Sequence, residues 1–180
     1  MGSKHARAIA GLWLAGVAAF TGTLPAIAQE QSTNRVAAKV DWSVFVDEDP
    51  KECWSVSAPK ETVNTRDGRV VAVRRGDILL IVFYRPGAGV SGQVAFTGGY
   101  PFANGSTVSL AIGDDSFDLF TEGEWAWPES EADDAKIIAA MKRGADAVLT
   151  ARSSRGTTTK DTFSLLGFTA ALEDAEARCK

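Results

Sequence analysis

The chain has one histidine and two cysteines, and these three residues limit most strongly which reactions it could catalyse. His5 lies in an N-terminal segment that we expect to be removed, so the mature chain would contain no imidazole. Without histidine, Ser-His-Asp catalysis, Cys-His catalysis and histidine-ligated zinc are excluded. Cys53 and Cys179 have no neighbouring cysteine or histidine with which to bind a metal. An even cysteine pair in an exported protein predicts a disulfide between them.

The N-terminal segment has the order of a secretory signal peptide. Lys4 and Arg7 form a basic start, residues 8–20 are apolar, and Ala26-Ile27-Ala28 is a small-x-small cleavage site. The apolar run is shorter than the roughly 20 residues that span a bilayer, so we predict cleavage after Ala28 and no integral membrane span afterwards. An uncleaved anchor is the alternative. The chain is thus expected to comprise a signal peptide at 1–28, a flexible leader at 29–39 and a single domain at 40–180.

The composition is that of an ordinary globular protein. The chain has 180 residues, of which 45% are hydrophobic and 23% are charged. Its net charge is −4, and the loss of Lys4 and Arg7 with the signal peptide would make the mature chain more acidic. A generally basic surface that coats nucleic acid is therefore excluded, and we expect no nucleic-acid partner.

Period-two alternation of apolar residues predicts a β-rich domain. Trp42, Val44 and Val46 fall on one side of an extended segment, whereas residues 78–83 are apolar on both sides, as in a central strand. Along the chain we count about nine such segments, joined by short turns and not alternating with helices. This order predicts a mostly antiparallel β-sandwich, Ig-like in general architecture, with two short peripheral α-helices.

The two predicted helices lie in the C-terminal third of the chain. Ser130 is a typical N-cap for the first helix, and Gly144 is a typical stop. The second helix begins at about Gly167 and places Cys179 on its apolar face. We therefore expect Cys179 to face the domain, where Cys53 could meet it.

Aromatic residues are the main candidates for a binding site. Trp125 and Trp127 fall on the same face of an extended segment, and with Tyr100 and Phe102 they could form a platform for a sugar or a peptide. The alternative is structural, with one tryptophan in the core and the other covering the following helix. Replacing each tryptophan by Ala would separate these roles.

Charged segments offer two weaker candidates. The four arginines of residues 66–75 could contact anionic lipid or polysaccharide, but strand alternation would place Arg74 and Arg75 on opposite faces of a solvated hairpin. The acidic residues 47–49 could supply oxygens to calcium, but they lack EF-hand spacing and are typical of a solvated turn. We expect no metal site and no cofactor.

Four segments carry a resemblance to a known family. They are 41–45 (DWSVF), 52–57 (ECWSVS), 137–144 (IIAAMKRG) and 163–172 (FSLLGFTAAL). From about residue 40 to 179 the chain resembles the invasion-associated locus B proteins of alphaproteobacteria. The resemblance implies a small secreted or periplasmic β-rich protein and supplies no catalytic residues. Many members have a further cysteine pair in the middle of the chain, where this sequence has Trp125-Ala126-Trp127.

These observations together predict an exported, non-enzymatic protein of the periplasm that acts as a binding or envelope-associated module. Its expected partner is an envelope or host protein or a glycan. Secretion and outer-membrane association are the alternatives for its location. A secreted hydrolase that uses carboxylates or a Ser-Lys pair is one alternative function, and a host-cell adhesin or invasion factor is another.

Overall fold

The computed structural model describes residues 34–180, and the predicted signal peptide lies outside this range. Within these residues, twelve strands and two α-helices follow one another. They are β1 Arg35–Lys39, β2 Trp42–Glu48, β3 Lys51–Ser57, β4 Glu61–Arg66, β5 Arg69–Val70, β6 Leu79–Arg85, β7 Val90–Thr97, β8 Thr107–Ile112, β9 Asp115–Glu122, β10 Trp125–Trp127, α1 Glu131–Arg143, β11 Asp146–Arg152, β12 Thr158–Ser164 and α2 Phe168–Arg178.

The strands form one antiparallel sheet in the order β1-β2-β3-β6-β7-β10-β9-β8-β11-β12-β4-β5. The short strand β10 pairs with both β7 and β9 and so joins the two halves of the sheet. The halves face each other across a common core, where Phe96 of β7 and Phe163 of β12 make an edge-to-face contact at 6.1 Å. The predicted mostly antiparallel β-sandwich with two helices is confirmed. The structure has twelve strands rather than about nine, and all twelve belong to one hydrogen-bonded sheet instead of two separate sheets.

The core follows the alternation along the strands. Trp42 and Val44 of β2 point inward and are fully buried, and the Trp42 indole N–H donates to the Ser164 carbonyl at 2.9 Å. The Trp42 ring also packs against Phe168 at the start of α2, at 4.8 Å. Helix α2 therefore covers the inner side of the sheet near β2 and β3, and the opposite, outer side of these strands carries no helix within residues 34–180.

Both helices begin and end close to the predicted positions. The Ser130 hydroxyl accepts the backbone N–H of Asp133 at the start of α1, and Gly144 is its C-cap. Gly167 is the N-cap of α2 with a φ of +88°, and a Cβ atom at this position would collide with the carbonyl of Lys39. Glycine is thus required where the end of β1 passes the start of α2. Neither helix has the length and apolar character needed to cross a bilayer.

The predicted disulfide between Cys53 and Cys179 is confirmed. It joins β3 to the residue after α2, with the two Cα atoms 5.8 Å apart. Cys53 is completely buried, so the bond fastens the C-terminal helix to the inner side of the sheet.

One predicted boundary requires correction, because part of the expected flexible leader belongs to the sheet. Residues 35–39 form β1, in which Ala37 pairs with Val44 and Lys39 pairs with Trp42. Lys39 also forms an ion pair with Asp174 of α2 at 3.1 Å. The segment was predicted to be flexible because it is polar. It is an edge strand nevertheless, because its pairing with β2 and the ion pair with α2 hold it in place.

Candidate functional site

The four predicted aromatic site residues do not form a single platform. Ala126 is fully buried and faces the core, so Trp125 and Trp127 on either side of it point outward. Their half-buried rings stack at 5.6 Å. Phe102, in contrast, is only 4% exposed and packs against Phe96 in the core at 6.1 Å. The two tryptophans thus remain a candidate surface, and Phe102 is a core residue.

Tyr100 lies apart from the tryptophans, on the wall of a cavity. Its ring contacts Phe102 at 5.3 Å, and its hydroxyl shares a hydrogen bond of 2.6 Å with the Thr159 hydroxyl. The guanidinium of Arg75 lies 5.0 Å from the ring centroid. Burial raises the pKa of the Tyr100 phenol, so its hydroxyl stays protonated near neutral pH and can donate a hydrogen bond.

Three aromatic residues on neighbouring strands were missed by the sequence analysis. Phe45, Trp54 and Phe83 are cross-strand partners on β2, β3 and β6. Phe45 and Trp54 stack almost parallel at 5.6 Å, and Trp54 lies 6.3 Å from Phe83. Arg85 places its guanidinium 4.3 Å from the Phe83 ring. We call Phe45, Trp54 and Phe83 the outer aromatic row, because they point away from the core.

The outer aromatic row and the tryptophan pair share one side of the sheet. Ile81 and Ala95 are cross-strand partners on this side and lie between the two groups, but they are only 5% and 0% exposed. Beyond the tryptophans, Phe120 of β9 pairs with Trp127 and is 42% exposed. Apolar side chains therefore follow one another across six neighbouring strands from β2 to β9. We call them the apolar stripe, and its accessible parts are the outer aromatic row at one end and Trp125, Trp127 and Phe120 at the other.

A second candidate site is a cavity of about 540 Å³ between the segment 71–78, the end of β7 and the β11–β12 turn. Arginines supply most of its charge. We call it the arginine pocket and define it by Arg66, Arg74, Arg75, Arg155, Tyr100 and Glu124.

Arg75 forms the buried wall of the arginine pocket. Its guanidinium donates two hydrogen bonds to the Asp161 carboxylate, at 2.7 and 2.6 Å, and its Nε donates to the Gly98 carbonyl at 2.8 Å. The side chain of Arg75 is 6% exposed and that of Asp161 is inaccessible. The charge of Arg75 is therefore balanced inside the protein, and its role is to anchor the segment 71–78.

The predicted solvated hairpin is present as β4–β5, in which Arg66 pairs with Arg69, but it ends at Val70 and does not reach Arg74 and Arg75. Residues 71–78 are irregular, so the predicted placement of Arg74 and Arg75 on opposite faces of a hairpin is wrong. The Gly76 N–H donates to the Gly99 carbonyl at 2.9 Å, which holds the segment against the end of β7. Because the segment does not alternate, Arg74 and Arg75 both line the same pocket.

The buried Asp134 and two residues of the predicted acidic turn, Asp47 and Glu48, have structural partners. Asp134 of α1 accepts the backbone N–H of Val94 at 2.7 Å, and burial raises its pKa to about 6. In the acidic turn, the carboxylate of Asp47 accepts a hydrogen bond from the Asn34 side chain, and Glu48 bonds to Lys51. Across residues 34–180 no three side chains of metal-ligating type come together.

Comparison with known proteins places these features in a family. The protein-family model described as "Invasion associated locus B (IalB) protein" matches residues 42–176, close to the range that carried the resemblance. The crystal structure of invasion associated protein B from Bartonella henselae has a similar fold, with a TM-score of 0.53 and 16% identity. The alignment covers 78% of this chain and 95% of that one. No curated protein matches the sequence. Because the family model spans most of the domain, the chain belongs to the invasion associated locus B protein family.

Proposed function

We propose that this chain is an exported, non-enzymatic binding protein of the periplasm. In this proposal the signal peptide 1–28 is removed after Ala28, and the mature chain begins at Gln29. The basic, apolar and small-residue segments of the N-terminus support export. The Cys53–Cys179 disulfide supports a location in an oxidising compartment.

The observation that carries the binding role is the apolar stripe on the outer side of the sheet. Half-buried aromatic rings on paired strands offer a large contact area, and they lose little conformational entropy on binding because the strands already hold them. The two aromatic ends of the stripe are partly exposed, and exposed apolar patches mark interaction sites in soluble proteins. The flat, stacked rings of Trp125 and Trp127 suit a sugar ring or an apolar side chain of an envelope partner.

The ionisable residues favour a binding role over a hydrolase. The two buried carboxylates of the described range, Asp134 and Asp161, bind a backbone N–H and the Arg75 guanidinium, respectively, and do not converge on a common cleft. Five of the seven lysines in residues 34–180 form ion pairs with carboxylates, and the other two are Lys142 and Lys160. These pairs are Lys39–Asp174, Lys51–Glu48, Lys60–Asp41, Lys136–Asp133 and Lys180–Glu176.

A capture experiment with matched variants tests the binding role. The chain Gln29–Lys180 is immobilised and exposed to envelope extract, alongside the variants Trp125→Ala, Trp127→Ala and Leu166→Ala. Leu166 is 62% exposed and lies outside the apolar stripe, so its variant controls for the loss of an exposed apolar side chain. We expect both tryptophan variants to lose capture while the Leu166 variant retains it.

Thermal unfolding of the same variants separates binding from packing. A binding role predicts that the tryptophan variants keep close to the wild-type stability. If each variant instead loses about 3–5 kcal/mol, as for a large buried aromatic, the tryptophans serve the fold and the proposed surface is wrong. Undiminished capture by both stable variants would also contradict the proposal.

A host-cell adhesin is the second candidate function, and the family match is the observation that favours it. It would use the same apolar stripe on a partner outside the bacterium. Binding of the mature chain to host-cell membranes, abolished by Trp127→Ala, would favour the adhesin over a periplasmic partner. Binding to envelope extract alone would favour the periplasmic role.

A further inference from the structure

We propose that the arginine pocket binds the phosphate group of a phosphate monoester. This site uses residues distinct from the apolar stripe, so it extends the proposed binding function without depending on it. Three features of the pocket carry the inference: its surplus of positive charge, its rigid wall and its size.

The arginine pocket carries more positive charge than its one lining carboxylate, that of Glu124, can neutralise. Arg75 is balanced by Asp161, whereas Arg66, Arg74 and Arg155 form no ion pair within residues 34–180. Glu124 is the one carboxylate that lines the cavity. Three guanidinium groups against one carboxylate leave two surplus positive charges in a chain of net charge −4. A phosphate monoester carries about −1.5 to −2 charges at neutral pH and matches this surplus.

The wall of the pocket is ordered before a ligand arrives. The bidentate contact of Arg75 with Asp161 fixes the segment that carries Arg74. The Arg66 guanidinium donates to the Thr157 hydroxyl at 2.7 Å, which limits the rotamers of its long side chain. Because guanidinium groups bind phosphate oxygens in a planar, two-pronged geometry, prior ordering raises affinity by lowering the entropy lost on binding.

The size of the cavity indicates that the phosphate belongs to a larger molecule. A volume of about 540 Å³ lies in the range of small-molecule sites and exceeds the space that one phosphate fills. Polar groups of Ser154 and Tyr100 also line the cavity and can bond to hydroxyls beside the phosphate. The chemistry fits both a soluble phosphorylated metabolite and the phosphomonoester headgroup of a lipid.

Two probes distinguish these sources. Calorimetry measures the binding of glycerol 3-phosphate, and flotation measures binding to phosphatidylcholine vesicles that contain phosphatidic acid. The mature chain is compared with Arg74→Ala, Arg155→Ala and the control Arg69→Ala, which removes the same charge from an exposed arginine outside the pocket. The variant Arg74→Lys keeps the positive charge but loses the guanidinium, so it tests whether charge alone is sufficient for binding. Acetate serves as a control ligand that carries a single negative charge.

We expect binding to at least one phosphate probe, with affinity reduced about tenfold or more in each pocket variant and only slightly in Arg69→Ala. Acetate should bind at least about tenfold more weakly than phosphate. Glycerol 3-phosphate binding without vesicle binding identifies a soluble ligand, and vesicle binding, with or without glycerol 3-phosphate binding, identifies a lipid headgroup. Trp127→Ala should bind phosphate normally, so failure of the apolar-stripe proposal would leave this result unchanged.

Two results would overturn the inference. One is the absence of binding to both probes at millimolar concentration by protein whose thermal unfolding is normal. The other is an equal loss in Arg69→Ala and in the pocket variants, because it would reveal diffuse attraction to a basic surface rather than a site.

Discussion

Removal of the Arg75 guanidinium should be among the most destabilising single changes in this domain. In Arg75→Ala the two oxygens of Asp161 lose partners at 2.7 and 2.6 Å, while the carboxylate remains inaccessible to solvent. Breaking a buried ion pair from one side costs about 3–5 kcal/mol, because the remaining charge is left without compensation. For a domain of this size, each kcal/mol corresponds to a fall in Tm of about 2–4 °C.

The matched control for this prediction is Arg143→Ala, which removes an exposed ion pair. Arg143 contacts Asp115 at 3.3 Å, and the two side chains are 67% and 53% exposed. Solvent screening limits such a pair to about 0–1 kcal/mol. Urea unfolding at neutral pH, followed by tryptophan fluorescence, measures both variants against the wild-type chain.

The double variant Arg75→Met with Asp161→Leu separates the burial of an unpaired charge from the loss of packing. It removes both charges and fills much of their volume, so it should be more stable than Arg75→Ala alone. The reasoning is refuted if Arg75→Ala loses no more stability than Arg143→Ala. It is equally refuted if the double variant is less stable than the single one.

Three further changes have outcomes that follow from the structure. Cys53→Ser should lower the free energy of unfolding by about 2–5 kcal/mol. In the native wild-type chain, Cys53 and Cys179 should not react with thiol labels until the disulfide is reduced. Burial raises the pKa of Asp134 to about 6 from 3.8, so the folded state binds this proton more tightly and the contribution of Asp134 to stability falls as pH rises from about 4 to 6. Asp134→Asn should therefore exceed wild-type stability by about 1–3 kcal/mol at pH 7.5 and by almost nothing at pH 4; equal urea midpoints at pH 7.5 would contradict this. Gly99→Ala should destabilise more than Gly105→Ala, because both have positive φ but only at Gly99 would the Cβ atom lie 2.6 Å from the carbonyl oxygen of the facing loop; equal losses in thermal unfolding would show that this approach is unimportant.

Local sequence patterns were sufficient for much of the fold. Ser130 and Gly144 act at the ends of α1 through contacts within a few residues, so the cap pattern predicted the helix. The disulfide followed from two facts, namely that the chain has only two cysteines and that Cys179 lies on the apolar face of its helix. Alternation predicted a β-rich sandwich because each strand buries one face.

The candidate sites could not be predicted because long-range packing creates them. Arg155 joins Arg66 and Arg74 only when the β11–β12 turn reaches the segment 71–78. Hydrophobicity alone also favours an inward Trp54, yet the disulfide turns its neighbour Cys53 inward and leaves Trp54 on the outer side. No single-strand pattern reveals which face a partner element will cover.

The most direct test of the account is intact-mass analysis of the chain in periplasmic and cytoplasmic fractions, both prepared without reductant. The account predicts one species that begins at Gln29 and contains the Cys53–Cys179 disulfide, shown by the absence of thiol labelling before reduction. A chain that retains Met1 to Ala28, or that carries two free thiols and fractionates with the cytoplasm, would contradict export and with it the proposed role in the envelope.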